Sequence, residues 1–365
     1  MDEAITRARA VLDLQPLGHP DRSSSLHFLA IFLNSRFCKD SRTEDLDEAI
    51  VFVQAAIDLR PPGDPDLHYS LSDLASYLHN QYLKENKATN LDEAITHAQA
   101  ALDLRPLGHP DRSSSLHSLA ALFGNWFHND SHMEDLEDAI MFVCAAIDLH
   151  PPGDPNRHYS LYNLSSYLYC QYHEEHQTAD LDEAIMHARA TLDLRPLGHP
   201  DRSSSLHFLA IFLNSRFCKD SQMEDLDEAI TFVRAAVDLR PPDDPNQHYS
   251  LYNLSFYLHN RYLEQKKAAD LDEAIIYARA VLDIRGDPGR PESSHGLAIL
   301  LRGRFDKYVL TENLEEVITF VHAGTNLLSL APNCCLLINK LLIYLCKWYN
   351  RDKATADLEE MIMLK

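Results

Sequence analysis

Leu46, Ala49, Ile50, Val53, Ala56 and Ile57 recur at steps of three and four residues. On a helix with 3.6 residues per turn they share one face, and the small alanines between bulky neighbours leave room for another helix to approach. Pro61 ends the stretch, since proline lacks the amide that would continue it. Asp45 stands three residues before Glu48, a spacing that predicts a capping box opening this helix, with both acids at the positive end of the dipole. Upstream, Leu26, Leu29, Ala30 and Leu33 predict a second amphipathic helix. The basic unit is therefore a helix pair.

The unit repeats. Asp45 is followed at steps of 45 by Asn90, Asp135, Asp180, Asp225 and Asp270, then by Asn313 and Asp357 after 43 and 44 residues. A fixed period of this length marks a repeat array in which no unit buries a core alone. The linkers alternate: Leu17-Gly18-His19-Pro20-Asp21-Arg22 returns from Leu107 and Leu197, whereas Pro61-Pro62-Gly63-Asp64-Pro65 returns from Pro151 and, with Asp243 for glycine, from Pro241. The duplicated block is thus a pair of units, and residues 19–41 are identical to residues 199–221.

The order Ala49-x3-Val53-x2-Ala56-x4-Pro61 resembles the second helix of a tetratricopeptide repeat. Ala94, Ala98, Ala101 and Pro106 hold the same offsets, as do Ala139, Val143, Ala146 and Pro151, and Ala229, Val233, Ala236 and Pro241, with Ala184, Ala188, Thr191 and Pro196 a looser copy. Leu26, Leu29, Ala30 and Leu33 resemble the first helix of that family. The usual repeat has about 34 residues, so longer helices are expected here, similar to the long repeats of kinesin light chains and of fungal multi-repeat proteins. The resemblance implies an all-α, right-handed superhelical solenoid whose first helices line a concave groove. It also implies a non-catalytic scaffold for protein–protein interaction, with the regulatory array of a larger caspase-like or NTPase effector as the alternative.

Carried onto this chain residue by residue, that groove would present His27, Asn34, Tyr69, His79, His117, Asn125, Tyr159, Tyr162, Asn163, Tyr169, His207, Asn214, Tyr249, Tyr252, Asn253 and His259. Such a lining is aromatic and polar but nearly uncharged, suited to an extended peptide. Asn163 and Asn253 match the asparagine with which light-chain-like repeats hold a peptide backbone, whereas Asp73 and the His27-Phe28 pair depart from it. The Lys and Arg set of a carboxylate clamp is absent from these positions.

In domain terms the pattern predicts one solenoid over 1–365. It comprises an orphan second helix at 1–16, six regular repeats over 17–286, a degenerate repeat at 287–332 and an incomplete one at 333–365, whose Leu336 to Tyr349 stretch is strongly apolar. Two uncapped ends predict self-association or a longer coding region. The formal charge of −22 excludes a clustered basic face, and with it nucleic acid. It leaves an acidic rim of Glu44, Asp45, Asp47 and Glu48 that suits a partner with basic residues. No run reaches the roughly 20 apolar residues of a membrane span. Seven cysteines without C-x-x-C and no apolar leader predict a reducing, cytoplasmic setting.

Chemistry finds little purchase. His173-Glu174-Glu175-His176 lacks the i, i+4 spacing of zinc-binding helices, and His128 and His132 flank an expected turn, so no metal is assigned. There is no phosphate loop and no nucleophile elbow. Ser23 to Ser25 reads as a helix start, and no cofactor is expected.

Overall fold

A computed structural model describes residues 1–285, apart from Pro62, Pro155, Pro242, Asp243 and Pro245, together with Gly296, Leu297, Ile299 and Leu300. Apart from those last four residues, the expected degenerate repeat at 287–332 lies outside the described residues, as does the whole of 333–365. The described residues form two compact units, Met1–Leu194 and Arg195 onward.

The first unit holds α1 (Asp2–Asp13), α2 (Arg22–Asp40), α3 (Thr43–Leu59), α4 (Leu67–Glu85), α5 (Ala88–Asp103), α6 (Arg112–Asp130), α7 (Met133–Asp148), α8 (Arg157–Glu175) and α9 (Thr178–Leu194). The second holds α10 (Arg202–Asp220), α11 (Met223–Leu239), α12 (Gln247–Gln265) and α13 (Ala268–Arg285). Every element is helical, and no strand occurs among the described residues. Even-numbered helices are the first of each pair and odd-numbered ones the second. Each first helix packs most closely on the second helix that follows it, and within a unit also on the preceding pair. This is the tetratricopeptide-type arrangement of antiparallel helix pairs. None of the described helices is long and apolar enough to cross a membrane.

The close-approach alanines explain the pairing. Ala49, Ala94, Ala139, Ala184, Ala229 and Ala274 are all 0% exposed, and so are the facing Leu29, Leu119, Leu209 and Leu254. At such a contact a larger side chain would push the helices apart. Each first helix stops at a residue in the left-handed region, namely Ser41, Asn86, Ser131, His176, Ser221 or Lys266, with φ between 52° and 58°. Each such amide still closes on the carbonyl four residues back, as Ser41 N does on Phe37 O at 2.7 Å. The linker between pairs turns at Gly18 and its counterparts, where φ is +90° and a side chain would be strained.

The expected capping box is not what forms. α3 begins at Thr43, and none of its first-turn amides is capped by a side chain. Asp45 therefore lies inside the first turn, buried, and accepts both nitrogens of Arg36 from the end of α2 (Nε to Oδ2 2.7 Å, Nη2 to Oδ1 2.6 Å). Glu48 instead takes Arg9 of α1 at 2.6 Å. The same clasp joins Arg216 to Asp225 and Arg261 to Asp270, and Gln81 to Asn90 in neutral form. Arg36, Gln81 and Arg261 also reach back to the preceding second helix, at Asp2, Asp47 and Asp227 respectively. The bidentate fork of arginine suits this bridging. Its guanidinium holds the Asp45 carboxyl below the usual carboxylate range. Where tryptophan or glutamine stands in its place, burial pushes the Asp135 and Asp180 carboxyls up.

Candidate functional site

Within each unit consecutive first helices lie side by side, and the residues expected in the groove divide according to how far each stands from that seam. Tyr69, Tyr159, Tyr249 and Tyr252 are exposed. Tyr162, Asn163, Tyr169 and Asn253 are half-buried. Tyr69, Tyr159 and Tyr249 occupy the first turn of α4, α8 and α12, each beside a histidine whose ring centroid lies 4.0, 4.0 and 3.8 Å away: His68, His158 and His248. The first two of these histidines are buried, so their tyrosines stand on fixed supports. Phe28 and Phe256 are exposed on the same helix faces.

The histidines and the other asparagines do something different. His27 Nε2 lies 2.6 Å from Asp73 Oδ2, Asn80 donates to Asn34 Oδ1 at 3.5 Å, Asn125 donates to His79 Nε2 at 3.0 Å, and Asn260 donates to Asn214 Oδ1 at 3.4 Å. Each bond joins residues 46 apart, so it crosses from one first helix to the next. Buried polar groups need such partners. His207 is buried and its Nδ1 shares a hydrogen bond with the Ser250 hydroxyl at 3.0 Å, while His259 is half-buried and stacks on Tyr262 with centroids 6.4 Å apart. His117 is half-buried, and its Nδ1 is enclosed without a hydrogen-bond partner. Burial lowers the pKa of His79, His117 and His259, and burial together with the Arg240 charge takes His207 down to about 4. These rings are neutral hydrogen-bonding groups at pH 7, so the face carries little charge.

At the seam between α4 and α6, His79 and His117 share a recess of about 140 Å³ with Ser72, Ser76 and Ser118 and with Ala75, Ala98 and Leu122. At the start of α6 and α8 a larger cavity of about 330 Å³ is lined by Asp111, His117, His150, Asn156, Tyr159 and Ser160, among others. A third opening, about 600 Å³, lies over α1 and α2, where Ala4, Ala8, Val11, Phe28 and Phe32 form an apolar floor.

Several histidines serve turns, which the sequence pattern does not reveal. In the His-Pro-Asp linkers the ring Nδ1 of His19, His109 and His199 accepts the amide two residues on, at 3.1–3.2 Å. Asp64, Asp154 and Asp244 do the same with a carboxylate oxygen in the other linker. That bond also bears on metals. His68, His109 and Asp111 place donor atoms within 4.8 Å of one another. An acceptor at Nδ1 leaves the His109 proton on Nε2, and the Arg105 charge acts on the same cluster. A divalent cation would have to displace the proton and sit beside a guanidinium, so this donor set does not fit one. His132 pairs with Asp130 at 2.9 Å, and its ring is largely exposed. His173 and His176 lie at the end of α8, the latter in the left-handed cap position.

No family model matches the sequence, and neither does any curated protein. Solved structures do show likeness. The chain is similar to a Podosopora anserina protein described as a kinesin light chain with nearly identical TPR-like repeats, at 17% identity over 62% of this chain and 99% of that one, with a TM-score of 0.43. It is similar to pilF of Pseudomonas aeruginosa at 15% identity over 75% and 99%, with a TM-score of 0.49. It is similar also to a tetratricopeptide repeat protein from Parabacteroides merdae at 14% identity over 87% and 98%, with a TM-score of 0.46.

Proposed function

We propose that the chain is a non-catalytic interaction scaffold that holds an extended segment of a partner polypeptide against its first-helix face. The observation that carries this reading is the set of exposed tyrosines Tyr69, Tyr159 and Tyr249, each set at a tilt against its own histidine at the start of a first helix. Rigid aromatic groups with hydrogen-bonding tips contribute large contact area at small entropic cost. Asn163 and Asn253 are half-buried on α8 and α12, and in this reading they hold the backbone of the bound segment. The acidic starts of the second helices favour a partner carrying Lys or Arg nearby, and screening by salt should slow its association. The described cysteines Cys38, Cys144, Cys170 and Cys218 are unpaired, which suits a reducing, cytoplasmic setting.

The test is affinity purification from the native cell followed by binding measurements with the partner so identified. Replacing Tyr69, Tyr159 and Tyr249 together by alanine should weaken binding at least about a hundredfold, given roughly 1 kcal/mol or more per aromatic contact. Binding that survives this change but is lost on altering the exposed faces of the second helices would overturn the reading. Self-association through the apolar floor over α1 and α2 belongs to the same picture; light scattering that stays monomeric at high concentration would remove it.

A further inference from the structure

The second helices end in a row of arginines. Arg60, Arg105, Arg195 and Arg240 are each buried. Three of them send a guanidinium across the linker to the next first helix. Arg105 donates to Ser115 Oγ and, at 3.3 Å, to the Asp111 carbonyl. Arg195 donates to Ser205 Oγ at 2.7 Å and to the Asp201 carbonyl at 3.2 Å. Arg240 donates to Ser250 Oγ at 2.5 Å and to the Asn246 carbonyl at 2.8 Å.

At the junction of α7 and α8 the arginine is missing. His150 stands at its position, while His117, Asn156 and Ser160 occur 90 residues before His207, Asn246 and Ser250 and match them in type. The acceptors are therefore conserved within the chain and the donor is not. The shorter imidazole turns to Asp154, with Nδ1 3.3 Å from Oδ2. The space is left as the 330 Å³ cavity bounded by His117, His150, Asn156 and Ser160.

A second observation points the same way. Arginine can only donate, and the Ser250 oxygen that accepts from Arg240 also lies 3.0 Å from His207 Nδ1. The serine thus links guanidinium and imidazole. At the matching place His117 Nδ1 is enclosed and has no hydrogen-bond partner, so this junction lacks both the arginine and the serine–imidazole contact.

We propose that this cavity takes the arginine side chain of a bound polypeptide, which supplies from outside the guanidinium that the neighbouring junctions supply from within. The proposal rests on the first-helix face being the binding face, since the cavity opens among Asp111, Tyr159 and their neighbours. The guanidinium donates to Ser160 Oγ and the Asn156 carbonyl, and Ser160 then turns its hydrogen to His117. Asp111 and Asp154 bring negative charge close by. In all three arginines a single nitrogen, Nη1, serves both acceptors; what sets arginine apart from lysine here is the planar, weakly hydrated guanidinium that the neighbouring junctions already bury.

The experiment is saturation-transfer difference NMR on the full chain, with Nα-acetyl-arginine methylamide as the probe. Saturable binding is expected, at least about tenfold tighter than for the blocked lysine and citrulline analogues. H150R should abolish it, by placing a guanidinium inside, and should raise the melting temperature. S160A, which removes an acceptor without adding bulk, should weaken it about tenfold; circular dichroism checks that both variants fold. Equal binding of lysine or citrulline, competition by inorganic phosphate, tighter binding of free arginine than of the blocked amide, or no effect of either variant would overturn the proposal. The two readings fail separately. Without an arginine cavity the probe does not bind although the tyrosine substitutions still release the partner; with a different binding face the partner ignores those substitutions although the probe still binds.

Discussion

His207 concentrates the chemistry of a seam residue. Its ring is buried between α10 and α12, is hydrogen-bonded to the Ser250 hydroxyl and lies close enough to Arg240 to feel its charge, so the protonated form is opposed both by burial and by a cation. Its pKa falls from an ordinary 6.5 to about 4. Between those values the unfolded chain binds the proton and the folded chain does not, so stability is complete above pH 6.5 and is lost as pH falls toward 4. The shift caps the loss at about 3 kcal/mol. Chemical denaturation of the wild type and of His207→Gln over pH 4 to 7 should give a shallower dependence for the variant. His68, His79 and His117 shift in the same direction and will keep some slope in both proteins. Identical pH profiles would mean that His207 titrates normally. Tyr69, Tyr159 and Tyr249 were singled out by the resemblance to tetratricopeptide repeats, and each is exposed. The seam roles of His27, Asn34 and His79 were not legible, because their partners lie 46 residues away on another helix and no local pattern records them.

At the scale of the helix, spacing carries far. The alternation of alanine with Leu, Ile and Val defined both helices of each pair, because packing selects side-chain size at every contact and leaves its period in the chain. Helix starts were harder. Asp45 and Glu48 have the spacing of a capping box, yet Arg36 and Arg9 claim the two carboxylates and α3 begins ahead of them. Local spacing lost to a tertiary ion pair. The chain contains its own control, since Gln81 and Asn90 make the same contact at 3.2 Å without charge. Arg36→Gln alone should cost roughly 1 to 3 kcal/mol, because it leaves the buried Asp45 carboxylate short of its donors. Adding Asp45→Asn should recover most of that loss, an outcome that thermal denaturation of the three proteins would display. A double variant no better than the single would locate the cost in lost packing of the arginine stem instead.

On the scale of the whole molecule, the consequence of the fold is that stability accumulates by neighbours. In the first unit α4, α6 and α8 each touch the helix that follows and the pair that precedes, α2 touches α1 and α3, and α10 to α13 continue the pattern in the second. The Arg36 and Arg261 clasps, the Arg9–Glu48 and Arg234–Glu273 pairs and the seam bonds of Asn34 with Asn80 all join one repeat to the next. The alanine positions face the partner helix and bury nothing within their own helix alone. A single pair thus has a large share of its apolar surface on faces that only a neighbour can cover. Surface ion pairs are worth little singly, and the junction strength comes chiefly from the leucine and alanine contacts they flank. Excerpts of two, four and six helix pairs should therefore melt at successively higher temperatures, with the largest gain between two and four, as each added pair brings one more interface than the isolated unit possesses. Equal melting temperatures across the series would require each pair to hold a self-sufficient core.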